Sequence, residues 1–303
     1  MYEVARKQAY FASLKNTGSR KQFASIQKNV MPFEDKFGKG LSEFYPAQTM
    51  EFLNSYQFTR PEAIRQYLNA TKRYLAYCGV HSCENLTILD YDIRSAMEAQ
   101  LFKSFRELMD NVSQVVLAGD GNVVPVALSL AWIGVPVDNV CTLEASQVDL
   151  KSGVISVDGY KTLVTKDPLV LNTLRTYRNI AEAFRNQNDF GKVLTYKPLD
   201  TNYFLRKLTF DAKKEKTLYY KKSTLMSALS RVQQDMKALE LKSNINYKDV
   251  QRSGELERVY HLEKNGVILS ENKELVCNEF ESNVTFKDIM FMYQSYKEAF
   301  NLD

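Results

Sequence analysis

Residues 127–157 read ALSLAWIGVPVDNVCTLEASQVDLKSGVISV. An apolar helix pattern runs into Gly134, passes through a short second helical turn, and ends in a strand-like run closed by a turn. Upstream, Val123–Ile133 reads as a helix apolar enough to be buried, and Gly119-Asp-Gly-Asn122 as a turn. That turn is no phosphate cradle, because no Gly-Lys-Ser/Thr follows it. Downstream, Val148–Val157 and Lys161–Val164 read as strands around Asp158-Gly159, a hairpin dipeptide.

Helical patterns flank this stretch on both sides. Thr59-Arg-Pro-Glu62 predicts a helix start, with Thr59 as cap, Pro61 in the first turn and Gly79 as the stop. Residues 84–103 read as a connection, and a helix opens at Ser104. Further helices are expected over Leu169–Phe184, from a cap at Ser223, over Val250–Lys264 and over Phe286–Phe300. The fold class is therefore mainly α with a small antiparallel β-sheet.

At 303 residues the chain has room for two domains at roughly 100–200 residues each. An apolar share of 45%, with 18 Tyr and 17 Phe, suffices for packed cores. No apolar stretch is long enough for a membrane helix, and MYEVARKQAY lacks the apolar run of a secretory leader. A cytoplasmic, nucleoid-associated location and no membrane partner are the expectation. The four cysteines form no C-x-x-C pair, and Cys78, His81 and Cys83 are wrongly spaced for a zinc knuckle. They read as reduced thiols; no metal and no other cofactor is expected.

Net charge is only +4, so its distribution carries the information. Residues 1–30 hold Arg6, Lys7, Lys15, Arg20, Lys21 and Lys28 against Glu3, and read as a basic helix and arm. Lys213, Lys214, Lys221 and Lys222 lie in a second basic run. Separated basic clusters on a nearly neutral body suit a surface that follows a phosphate backbone; solvated lysine loops are the plainer alternative for the second run. In the helix after Arg60, the face opposite the apolar one carries Arg65, Gln66, Asn69, Lys72 and Arg73. Arg and Lys grip phosphates, and Asn and Gln read adenine in the major groove. No acidic residue follows Glu62 on that face, whereas an ordinary solvated helix mixes signs.

The order of these elements resembles the tyrosine recombinases, the phage integrase family. The segment MEFLNSYQFTRPEAIRQYLNATKRYLAYCGV is similar to the central helices of that family's core-binding domain. Beyond the basic arm or helix over 1–32, the resemblance implies a core-binding domain over 33–95 and a catalytic-type domain, lacking the active site, over 104–303. It also implies a two-domain clamp around duplex DNA. The family's first catalytic arginine, two residues after the glycine, falls at Pro136. Its hairpin lysine falls at Lys161 or Lys166. Its His-x-x-Arg box falls on Lys248 and Gln251, with Arg252 one residue late and about 100° round the helix. Its Leu-Gly-His motif has no match, and residues 280–282 offer Phe, Glu and Ser instead. Tyr293 and Tyr296 lie near the nucleophile's place but read as packing aromatics, and His261 has no matching role.

Each lost transition-state clamp costs a factor of about 10² to 10³, and such sites fail as units. No catalytic residue is therefore assigned, and the expected activity is DNA binding without cleavage. Lys161, Lys166, Lys248 and Arg252 remain as candidate DNA contacts, with Arg60 at the head of the polar helix. The chain further resembles the inactive, lysogeny-repressing branch of the family in the SPβ group of phages. That implies operator binding and repression of lytic promoters, with an antirepressor peptide or protein as a conceivable releasing partner. Two alternatives stay open. One is an active, divergent recombinase using Arg252 or Arg258 with Tyr293 or Tyr296. The other is an architectural factor that self-associates through the C-terminal helix, which in that family docks on a neighbouring protomer.

Overall fold

The computed structural model describes all residues except 1, 118, 181–182, 187–192, 210–216 and 281–283. The chain divides into two compact units, residues 1–100 with 287–303, and residues 101–286.

In the first unit the basic N-terminus, read as a short helix and an arm, forms two helices. It forms α1 (Val4–Ser13) and α2 (Thr17–Phe37), the latter capped by Asn16, whose side chain accepts from the Gly18 N–H. Ile26 and Val30 of α2 are fully buried, and Tyr10, Phe23 and Tyr74 meet ring to ring at 4.6–5.3 Å. Lys7 is buried as well and pairs with Glu34, which also accepts the Leu41 N–H at 3.0 Å. Removing one partner of such a pair costs roughly 3–5 kcal/mol, because the other charge is left buried alone. Burial alone would raise the Glu3 carboxyl, but hydrogen bonds from Ser42 and Tyr74, with Arg6 close by, hold it below its ordinary value. Few apolar positions were counted in this segment, but Tyr10, Phe23 and Ile26 among them are buried and suffice to pack both helices.

The unit continues through α3 (Pro46–Asn54), α4 (Pro61–Tyr77) and α5 (Ile93–Gln100). The last of these occupies what read as a connection. Arg60, not Thr59, takes the cap position of α4 and offers no side-chain hydrogen bond, while Thr59 is buried. Gly79 ends the run at φ +73°, as its sequence position predicts. From Lys287 on, α12 (Phe286–Phe300) groups with this unit and not with the larger one that the sequence pattern assigned it to.

The second unit is built on α7 (Val124–Ile133), whose ten residues are all buried. It follows α6 (Phe105–Val112), which Ser104 caps through the Glu107 N–H. Gly134 ends α7 at φ +108°, and the Gly134 and Val135 N–H groups return to the Leu130 carbonyl. The run Val148–Val157 is a hairpin in itself rather than one strand. β1 (Val148–Asp149) and β2 (Val154–Ile155) turn at Gly153, φ +73°, and β3 (Leu163–Val164) adds across Asp158-Gly159 with Ile155 opposite Leu163. The helix expected to reach Phe184 is α8 (Pro168–Arg178) and stops short. A second antiparallel sheet follows: β4 (Ala183–Asn186), β5 (Val193–Pro198) and β6 (Leu208–Thr209).

Then come α9 (Lys222–Ala238), with Lys221 rather than Ser223 at its cap, α10 (Tyr247–Lys264), capped by Asn246, and α11 (Lys273–Asn278). α10 crosses α7 closely at Gly254. A Cβ there would lie 2.0 Å from the Trp132 carbonyl oxygen, so only glycine fits. The Tyr247 hydroxyl donates to the Val135 carbonyl at 2.8 Å on the same seam.

Candidate nucleic-acid interface

α4 turns Ile64, Leu68, Thr71, Tyr74 and Leu75 into the core of the first unit, and the opposite side sorts into two groups. Gln66, Asn69 and Arg73 are exposed, and their spacing of three and four residues places them on one stripe. Arg65 and Lys72 are engaged within the chain. Arg65 holds the Asp288 carboxylate with both terminal nitrogens, and Lys72 donates to the Glu84 carbonyl at 2.7 Å and to that of Leu86. Neither is the free phosphate contact that the helical face suggested, because a carboxylate and two carbonyls already satisfy them. Arg60 is half-buried at the head of the helix.

Beside the stripe lies a polar hollow of about 480 Å³, between Gln66 and Tyr67 of α4 and Asn16, Gly18, Ser19 and Lys21 of α2. The first turn of α2 opens onto it, and the positive end of a helix favours a negative group. Gln66 and Lys21 were named from the sequence, but Asn16, Gly18 and Ser19 were not. Their only signal was a Asn16-Thr-Gly-Ser19 run that could have been read as a helix start.

In the second unit the positions singled out by the recombinase resemblance are mostly turned inward. Pro136 accepts from the Asn139 and Val140 N–H groups at 2.9 and 3.2 Å and offers no charge. Lys161 donates to the carbonyls of Asn278 and Phe280. Arg252, only 2% exposed, pairs with Glu255 at 2.8 Å and lies over the Phe280 ring. It is thus no surface contact for DNA. Gln251 is buried and donates to Glu255 at 3.3 Å. Arg258 donates to Glu279 at 2.6 Å and to the Trp132 carbonyl at 2.6 Å.

Lys222 pairs with Asp138 at the surface. Lys166, Lys221 and Lys248 are exposed. Lys213, Lys214, Glu281 and Ser282 lie outside the described residues. Glu255, Glu279 and Asp288, which pair with Arg252, Arg258 and Arg65, were not foreseen as partners, because their segments were compared with the family's catalytic motifs and not searched for acids.

An open hollow of about 470 Å³ lies on the same unit, between Trp132, Val164, Lys166, Glu257 and His261. Burial raises the Glu257 carboxyl above its ordinary value, opposed by the Trp132 indole N–H that donates to it at 2.8 Å and by His261 and Arg258. Tyr293 and Tyr296 are 1% and 0% exposed. Among the described residues no group of three His, Cys, Asp or Glu could hold a metal ion. Among them, too, no helix is long and apolar enough to cross a membrane.

Residues 1–80 match the family model of the MrpR N-terminal core-binding domain. The matched segment contains α1 to α4, and so both the exposed stripe and the polar hollow. It begins earlier than the sequence pattern placed a core-binding domain, in keeping with the N-terminal helices being part of the same unit. No curated protein matches the chain. Among solved structures, the chain is similar to a crystal structure of XerA recombinase at 14% identity and a TM-score of 0.41, covering 98% of this chain and 96% of that one.

Proposed function

We propose that this protein binds double-stranded DNA through the α4 stripe and the neighbouring α2 terminus, and that it regulates transcription as a repressor without cutting its target. The observation that carries the reading is the exposed stripe Gln66, Asn69 and Arg73 inside the segment that matches a core-binding domain. Gln and Asn offer the paired donor and acceptor that read adenine, while Arg73 and Lys21 serve the backbone. Lys166, Lys221 and Lys248 add exposed positive charge on the second unit.

The non-cleaving part rests on the fate of the cations. Phosphoryl transfer needs free positive groups converging on one phosphate. Here Pro136 supplies none, Lys161 and Arg258 are spent on acceptors of the protein itself, and Arg252 is buried in an ion pair with Glu255. Burial of Tyr293 and Tyr296 further disfavours a nucleophile on α12. Repression of phage lytic promoters extends this reading by resemblance.

A mobility-shift titration on promoter duplexes with nonspecific competitor tests the binding. Retention of one promoter fragment at competitor excess is the expected result; equal affinity for every duplex would sink the repressor reading. A nicked suicide duplex tests the chemistry: the account expects tight binding with no covalent adduct, and an adduct through Tyr293 or Tyr296 would restore the recombinase alternative.

A further inference from the structure

The polar side of α4 carries no acidic residue after Glu62, yet an acid reaches it from the other end of the chain. Arg65 Nη2 and Nη1 grip Asp288 Oδ1 and Oδ2, a contact across 223 positions within one compact unit. Asp288 stands in the first turn of α12 and is 6% exposed, whereas the Arg65 side chain keeps 38% of its surface open. Next to Asp288 on α12, Ile289, Met292 and Tyr293 are buried, which fixes the carboxylate in place. The half-exposed cation sits beside Gln66 and one helical turn from Asn69, at the edge of the stripe.

Asp288 takes up the Nη1–Nη2 edge of the guanidinium, and a phosphate fills that edge with the same two-oxygen geometry. Asp288 and a DNA phosphate are therefore competing occupants of Arg65. We infer that Asp288 is a built-in competitor for a DNA phosphate: the C-terminal helix withholds Arg65 from the α4 surface, and displacing Asp288 adds Arg65 as a further backbone contact. The inference rests on the proposed DNA-binding surface and adds a control to it. A purely structural pin between α4 and α12 would affect stability and leave DNA affinity alone.

The test is a salt series of affinity for one duplex, with the full-length chain and its variants. Each phosphate contact contributes about 0.9 to the slope of log affinity against log salt. Asp288→Asn should tighten binding severalfold at low salt and steepen the slope by about 0.9, the value for one added contact. Adding Arg65→Ala to Asp288→Asn should return the slope to that of the wild type. Arg65→Ala alone should leave the slope unchanged, because the resting protein does not use that residue.

A folded Asp288→Asn protein with no gain in affinity overturns the inference. So does a slope flattened by about 0.9 in Arg65→Ala alone, which decides the matter even if Asp288→Asn fails to fold. Arg73→Ala separates the two levels. If it weakens binding while Asp288→Asn gains nothing, the competitor idea alone falls. If it has no effect, the α4 surface falls and the competitor with it.

Discussion

Lys72 and Arg73 are neighbours on α4, both cationic, and their surroundings give them different tasks. Lys72 is folded back onto the carbonyls of Glu84 and Leu86, while Arg73 is exposed on the outward stripe. Arg73→Ala should therefore weaken duplex binding and flatten its salt dependence by about 0.9. Lys72→Ala should leave that slope unchanged and loosen the 84–86 segment, which amide exchange at Leu86 and its neighbours would register. Equal loss of slope in the two variants would contradict the assignment. Helical periodicity was enough to say which side of α4 faces outward. It could not say that Arg65 and Lys72 are satisfied, because their partners come from 223 and from 12–14 positions away. The inward turn of Arg252 was half legible: its offset from the family's arginine position predicted a different direction, but not the Glu255 that receives it.

At the scale of elements, the seam between α7 and α10 holds the second unit. Gly254→Ala would push a Cβ against the Trp132 backbone, and backbone yields less readily than a side chain. A loss of at least about 1–3 kcal/mol is expected in chemical denaturation, the usual cost of overpacking. An unchanged midpoint would mean the helices can separate without penalty.

Glu257 lies on the same seam, and its raised pKa gives the seam a pH dependence. A carboxyl raised by burial favours the folded state fully below its ordinary value of 4.5, and that contribution is lost as pH rises through its folded value. Glu257→Gln, which can still accept the Trp132 N–H, should therefore stabilise the second unit near neutral pH and lose its advantage at pH 4. A gain independent of pH would show that ionisation is not the cause.

Elements read well where the apolar pattern was local, as in α7, α10 and α12. The second sheet escaped notice because Leu171, Leu174, Tyr177, Ala181 and Phe184 keep a helical period across a real boundary. Pairing of Ala183 with Tyr196 is a non-local choice that propensity does not encode.

On the scale of the molecule, both chain ends fold into one unit, and this changes how the sequence divides. The basic N-terminus read as a short helix and an arm because its apolar positions are few and its cations many; one of those cations, Lys7, is core. The C-terminal helix was assigned by order along the chain, whereas compactness assigns it to the first unit. On the proposed reading, this fold holds specific duplex DNA and leaves it intact. Selection from a randomised duplex library, with the recovered strands run on a denaturing gel, tests that claim most directly. A shared motif should emerge, with every recovered strand full length and free of protein. A pool that never enriches, or strands recovered nicked and covalently bound, would contradict it.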